Sequence, residues 1–418
     1  MRATHKWIGL CLVLLLMPFS AWGQQSKEKR EPWETADWPQ WRGHRGDGVS
    51  SETGLDARWP EAGPAEVWRR PLGGGFSGIV VAGGRLYTQF SDGGDTFLAS
   101  FSAKDGSELW RTRMGPIFKD SYGNGPRATP TLRDGIVYAL SSSGDLIAAR
   151  SGNGEILWQS NLRESFGARV PRWGLAGSPL VEGKLLIVPA GGDGGSSVLA
   201  LDRMTGELRW SARDEKTGYA TPIVMTLDGV RQLLVFAGDR IVSLKPMNGE
   251  SYWELDWKTD WGVNASTPIR IDDHRVFLST GYDRGAIMLD VRKKDGGVAA
   301  TELWRNREMR NKFSSSVLYG GHLYGFDEGT LKCLDPEAGT TLWQQRGLGH
   351  GSLFAADGKL IALSDKGKLV LADATPEGYK ELGSVQAFTT KTWTVPTLAG
   401  GRLYLRDEKE IVAFDISN

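Results

Sequence analysis

The chain has 418 residues, with 50 basic and 50 acidic side chains and a formal net charge of +0. That balance argues against nucleic acid, which calls for a basic stripe, and gives no reason to expect adhesion to an anionic membrane. Two cysteines, Cys11 and Cys333, are too few for a disulfide framework.

The first 25 residues read MRATHKWIGLCLVLLLMPFSAWGQQ: a short basic stretch, an apolar run from Trp7 to about Phe19, then Ala21-Trp22-Gly23. Small residues one position apart are what a signal peptidase reads, and the run is too short to span a bilayer with such flanks. A cleaved secretory signal over 1–23 is expected, with a retained N-terminal anchor as the alternative. Cleavage would remove Arg2, Lys6 and Cys11, leaving a slightly acidic chain in which Cys333 stands alone and no internal disulfide can form. No second apolar run of membrane length follows, so the place expected for the protein is the periplasm or the outside of the cell. Residues 24–36 contain the charged stretch SKEKREPWE and read as a mobile tether. Residues 37–418 are expected to form one domain.

Self-similarity dominates that domain. Glycine stands four places before tryptophan at Gly106/Trp110, Gly154/Trp158, Gly206/Trp210, Gly249/Trp253 and Gly339/Trp343. AEVWRR around Trp68 and TELWRN around Trp304 lack that glycine, and YKELGS around Leu382 has leucine in place of the tryptophan. The spacings, roughly 39 to 52 residues, match a four-stranded propeller blade. Before each ending lies a pair of apolar strands joined by a Gly/Asp/Ser turn, as in GIVYALSSSGDLIAA from Gly135 or GRLYLRDEKEIVAF from Gly401. Before each pair lies a short opener, often with Thr-Pro or Ser-Pro: ATPTL, GSPLV, ATPIV, STPIR. Proline is tolerated at the first residue of a strand because no ladder hydrogen bond is lost there.

The count of pieces predicts an all-β, eight-bladed β-propeller. The chain starts with an unaccompanied ending at Trp68 and stops after a strand pair at Phe414. Eight endings and eight pairs balance only if the N-terminal strand completes the last blade, which leaves no radial edge exposed. In this reading the glycine permits a tight turn. Trp110, Trp158, Trp210, Trp253, Trp304 and Trp343 pack against neighbouring blades rather than bind a ligand. The glycine-rich GGGFSG (73–78) and GGDGGSS (191–197) have no following helix to receive a phosphate and read as turns. VRKKDGGVAATE (291–302) reads as an insertion forming a protruding loop.

The phrase ALDRMTGELRW (200–210) resembles the tryptophan-docking repeat of the pyrroloquinoline quinone (PQQ) propeller superfamily, and DWPQWRGHRGDGVSSETGL (37–55) resembles the lead-in of its secreted members. That superfamily includes quinoprotein alcohol dehydrogenases and the propeller lipoprotein of the outer-membrane β-barrel assembly machine. The resemblance covers about 37–415 and implies the propeller. The dehydrogenase chemistry fits less well: the adjacent cysteines that flank the quinone in many such enzymes are missing, as is the Cys-x-x-Cys-His of an appended haem domain.

Openers carry their first residues to one mouth of the central channel, so the residues just before them are the candidate site. Arg127, Trp173, Asn264, Lys312, His350 and Trp393 are expected there, with Phe76, Tyr219 and Phe313 beside them and Arg172 and Trp261 adjacent. Cations beside aromatic faces suit a flat or anionic ligand, or a peptide; the alternative is that the aromatics only plug the channel. Carboxylates are scarce, Asp260 being nearest, so no calcium site is expected. His44, His274, His322 and His350 show no metal-ligand spacing. The expectation is a monomeric, extracytoplasmic, non-catalytic binding or scaffold propeller without cofactor, metal or nucleic acid, taking a protein or small molecule at the channel mouth. The alternative is a PQQ- and calcium-dependent alcohol dehydrogenase lacking the vicinal disulfide.

Overall fold

The computed structural model describes residues 1–2 and 37–418; the expected signal (1–23, apart from its first two residues) and tether (24–36) lie outside the described residues. Eight antiparallel four-stranded sheets follow one another as blades spanning 80–116, 131–161, 180–212, 223–256, 269–306, 317–345, 351–386 and 397–415. The last sheet is completed by the strand Ala65–Pro71, which pairs with Glu410–Asp415 from Ala65 opposite Asp415 to Pro71 opposite Glu410. The second and third strands of a blade are covered on both faces by their neighbours, so they read as continuous apolar runs: all five residues of Ile136–Leu140 are buried. Outer strands such as Leu208–Ala212 are half in water. Hydrophobic clusters lie between blades, and the largest joins blades 7, 8 and 1 with Trp38, Leu55 and Trp59.

The repeated Gly-x-x-x-Trp phrase works across seams. Indole Nε1 donates to a carbonyl of the next blade from Trp68 to Ala103 (3.1 Å), Trp110 to Ser151 (3.0 Å), Trp158 to Arg203 (3.0 Å), Trp210 to Pro246 (3.2 Å), Trp304 to Pro336 (3.0 Å) and Trp343 to Thr375 (2.7 Å). In all of these but Trp343 the ring lies over the next blade's glycine. Gly206 has φ +76°, and a Cβ there would stand 2.8 Å from the Trp158 ring. The glycine therefore serves its own turn and its neighbour's tryptophan at once.

A second clip runs near the axis. The Ser or Thr of the opener accepts from the preceding blade's backbone: Gly78 N to Thr129 Oγ1 (3.1 Å), Thr129 N to Ser178 Oγ (3.0 Å), Ser178 N to Thr221 Oγ1 (3.0 Å) and Thr267 N to Ser315 Oγ (2.9 Å). The Thr of Thr-Pro is thus a blade-to-blade link, while the Pro merely starts the strand.

The seam between blades 4 and 5 departs from both patterns. Residues 291–302, expected as a loop, instead lengthen two paired strands, Gly285–Lys294 and Gly297–Asn306, so the short glycine turn is gone. With no carbonyl offered there, Trp253 turns onto Gln232 Oε1 of its own blade (2.8 Å). Trp257 is buried between the guanidinium groups of Arg284 (4.7 Å) and Arg305 (4.9 Å).

Two buried arginines tie the ring shut. Arg406 of blade 8 donates to Gly73 O (2.9 Å) and, in blade 1, to Gln89 O (2.7 Å). Burial pushes its pKa down to about 10, with Asp407 pulling the other way, so it remains a cation at neutral pH. Arg42 belongs to a strap, residues 38–55, that crosses the channel interior. Trp38 bridges Val81 of blade 1, and Leu132 N of blade 2 donates to Pro39 O (2.8 Å). Arg42 reaches Ser316 O (2.5 Å) at blade 6, and Val49 bridges Ala355 of blade 7. The Glu52 carboxylate accepts from Gly400 N (3.0 Å) and Gly401 N (2.8 Å) of blade 8.

Candidate functional site

Four positions before the opening strand of seven of the eight blades, the chain turns its side chain toward the axis. Phe76, Arg127, Tyr219, Phe313 and Trp393 hold that position, and Ala176 and Ala265 hold it in blades 3 and 5; all line one cavity of about 440 Å³. Trp41 of the strap lies beneath them, its Nε1 donating to Thr267 Oγ1 (3.0 Å), and makes the floor.

Aromatic rings form two groups. Trp393 stands between Phe76 (ring centroids 5.1 Å apart) and Phe313 (5.1 Å, stacked), and Phe313 also touches His350 (5.9 Å). From blades 2 to 4, Trp173 stands between Tyr122 (6.2 Å) and Tyr219 (5.8 Å). Cations overlie these faces: Arg172 lies over Trp173 (5.3 Å) and Trp261 (5.4 Å), Lys312 over Tyr282 (5.4 Å), and Lys391 over Trp393 (4.5 Å). Burial lowers the pKa of Arg127, against the pull of Asp120 3.7 Å away. The Arg127 guanidinium is fixed by Gly125 O (2.5 Å) and Gly123 O (2.9 Å). Tyr219 is pushed up to about 12, first by burial, so its hydroxyl stays protonated.

Arg127, Trp173, Lys312 and Trp393 all line this cavity. His350 stands just behind the wall, accepting or donating at Glu328 O (2.9 Å) according to tautomer, and does not line the main cavity. Asn264 requires a correction. It sits one residue before the lining Ala265, so its side chain points the other way. It is 0% exposed and its side-chain amide donates to Ala237 O (2.7 Å) and Trp257 O (3.1 Å), while its backbone carbonyl accepts from Tyr219 N (2.8 Å). Asn264 is the clip of the irregular seam between blades 4 and 5.

Sequence reasoning missed Trp41, Asp120, Tyr122 and Tyr282, all of which line the cavity. Asp120 and Tyr122 lie in KDSYGNGPR, a long Gly/Asn-rich connection before blade 2, and this could have been flagged as a folded-in loop. Tyr282 and Asp283 both carry φ +58°, a strained pair with no clear sign in the sequence. The acid at the mouth is Asp120, in place of Asp260. Its Oδ1 already accepts from Tyr122 N (2.8 Å) and faces Arg127.

Calcium takes six to eight oxygen ligands. Asp120 is the sole carboxylate lining the cavity among the described residues, and no group of three or more His, Cys, Asp or Glu among them could hold a metal ion. The donor set does not fit a calcium-bound quinone.

Comparison with known proteins adds a lineage. A family model described as "Outer membrane protein assembly factor BamB" matches residues 57–172, 94–345 and 327–418. Among similar proteins is the outer membrane protein assembly factor BamB of Yersinia pestis, 26% identical over 69% of this chain and 67% of its own. That of Escherichia coli (strain K12) is 26% identical over 73% of this chain and 87% of its own. Among solved structures, BamB from Moraxella catarrhalis superposes with a TM-score of 0.61 at 15% identity, over 84% of this chain and 99% of that one. Quinohemoprotein alcohol dehydrogenase ADHIIG from Pseudomonas putida HK5 does so at 0.65 and 13%, over 92% and 80%. At such identities these structures show the fold alone.

Proposed function

Because those matches run over most of its length, the chain belongs to the family of the outer membrane protein assembly factor BamB, and on that premise we propose that it is an extracytoplasmic, non-catalytic binding and scaffold propeller. One observation carries the reading. The mouth gathers aromatic and cationic side chains from most of the blades onto a single surface, yet offers one carboxylate, already engaged, as a base. General acid–base work needs a group free to take a proton; recognition needs faces and charges. The relatives' name, an outer-membrane assembly factor, supports a place in the periplasm, or outside the cell if the chain is exported further. The partner is a protein or a small molecule held at the mouth, with no cofactor. Every sheet is completed within one chain, which supports a monomer.

The test is capture of partners from a native extracytoplasmic fraction by wild type and by a Trp173→Ala/Trp393→Ala double variant, with circular dichroism as the folding control. Loss of capture with an intact fold is expected. Unchanged capture would move the binding surface to the blade sides. Dye-linked alcohol oxidation in the presence of PQQ and calcium would replace this reading with the dehydrogenase one.

A further inference from the structure

Positive charge outnumbers negative charge among the residues that line the cavity. Three cations line the cavity, Arg127, Arg172 and Lys312, against one carboxylate, Asp120. Arg127 and Asp120 face one another at 3.7 Å, and Lys312 is 3.5 Å from Glu328. Arg172 has no carboxylate or hydrogen-bond partner among the described residues; its guanidinium is held only by the flat faces of Trp173 and Trp261. Trp261 is 61% exposed, so the sandwich stands at the rim with the edges of the guanidinium open to a ligand.

The polar atoms facing the cavity are mostly donors. The indole N–H groups of Trp173, Trp261 and Trp393 have no protein partner among the described residues. The strained pair Tyr282–Asp283 holds the Tyr282 ring under the Lys312 ammonium at 5.4 Å. A ligand rich in acceptors, negatively charged and bearing a flat apolar face would meet a partner for each of its features.

We infer that the mouth cavity binds a planar organic anion without any metal ion, with Arg172 supplying the unpaired counter-charge, Lys312, shared with Glu328, adding to it, and the strap residue Trp41 closing the floor. A planar guanidinium pre-oriented between two indoles meets a carboxylate or sulfonate edge-on, with charge-assisted bonds. This rests on the proposal that the mouth is the binding face and names the chemistry of what enters it.

The probe is 8-anilinonaphthalene-1-sulfonate, compared with N-phenyl-1-naphthylamine, which has the same rings and no charge. Both are titrated by fluorescence into the wild-type protein and an Arg172→Met/Lys312→Met double variant, in calcium and in EDTA. The sulfonate should bind at least about tenfold more tightly than the neutral amine, equally in calcium and EDTA, and the double variant should lose most of that preference. A Trp41→Ala variant should weaken both probes, since it removes a wall that each one touches. Circular dichroism verifies that both variants fold; neither Arg172 nor Lys312 is buried. Equal affinity for the two probes, a requirement for calcium, or a double variant that behaves as wild type would overturn the inference. If partner capture depends on Trp173 and Trp393 while the probes show no charge preference, this inference alone falls. If the charge preference is found while capture ignores those tryptophans, the inference stands and the partner-docking reading falls.

Discussion

Trp158 and Trp261 show two uses of one side chain. Trp158, on an outer strand, lies over Gly206 of the next blade and donates to Arg203 O at 3.0 Å. Trp261, at the mouth, has no hydrogen-bond partner among the described residues and is 61% exposed, its face covered only by Arg172. The seam tryptophans have their polar atom satisfied and their ring seated, as a structural group must. Among the mouth tryptophans, Trp173, Trp261 and Trp393 keep their N–H groups open among the described residues, and only the floor residue Trp41 is bonded, to Thr267. Burial alone would not separate the blade-ending tryptophans from Trp173, Trp261 and Trp393, because Trp158 is itself half-buried; hydrogen-bond satisfaction separates those two sets, while the fully buried Trp257 keeps an unpartnered Nε1 and is held by cations instead.

The contrast can be broken in graded steps. Deleting residues 62–72 removes the strand Ala65–Pro71 and leaves Glu410–Asp415 as an open edge. Aggregation and loss of the cooperative unfolding transition are expected, and size-exclusion chromatography with thermal melting would reveal a tolerated deletion. Trp68→Ala empties a site 5% exposed at the same closing seam and should cost about 3–5 kcal/mol, read from urea unfolding. Gly206→Ala forces a Cβ into φ +76° and to within 2.8 Å of the Trp158 ring. A loss of about 1–3 kcal/mol is expected, and the same substitution in a Trp158→Ala background should cost less, since only the backbone strain remains. Trp261→Ala, at the mouth, should change stability by less than about 0.5 kcal/mol. A larger loss would show that the mouth tryptophans are structural after all.

The blades were legible because their information is local. Alternation, Gly/Asp turns and the Gly-x-x-x-Trp spacing all lie within about a dozen residues, and the surplus ending at Trp68 was enough to predict closure. The strap was not legible. Residues 38–50 have almost no regular structure, and their contacts, such as Trp41 with Thr267 or Arg42 with Ser316, join positions 226 and 274 apart. The part of the site carried by the openers was legible to within a residue, while Trp41, Asp120, Tyr122 and Tyr282 were not. Arg127 and Trp393 follow from counting back from the opener, but the same count in blade 5 falls on Ala265, and choosing Asn264 one place earlier reversed the side chain. In 291–302 the Asp-Gly-Gly turn was visible, but nothing showed that both flanks would stay paired as strands.

The closure of the ring by its first strand also has a consequence in time. Ala65 pairs with Asp415, which a ribosome adds 350 residues later. At about 5–20 residues per second that is a wait of roughly 17–70 s. Throughout it the first strand lacks the neighbour it will pair with, and the strap lacks most of the blades it will cross. Two chains made close together could each lend a first strand to the other's last blade. Strand exchange between nascent copies, favoured by fast expression and high local concentration, is the misassembly to which this topology is prone.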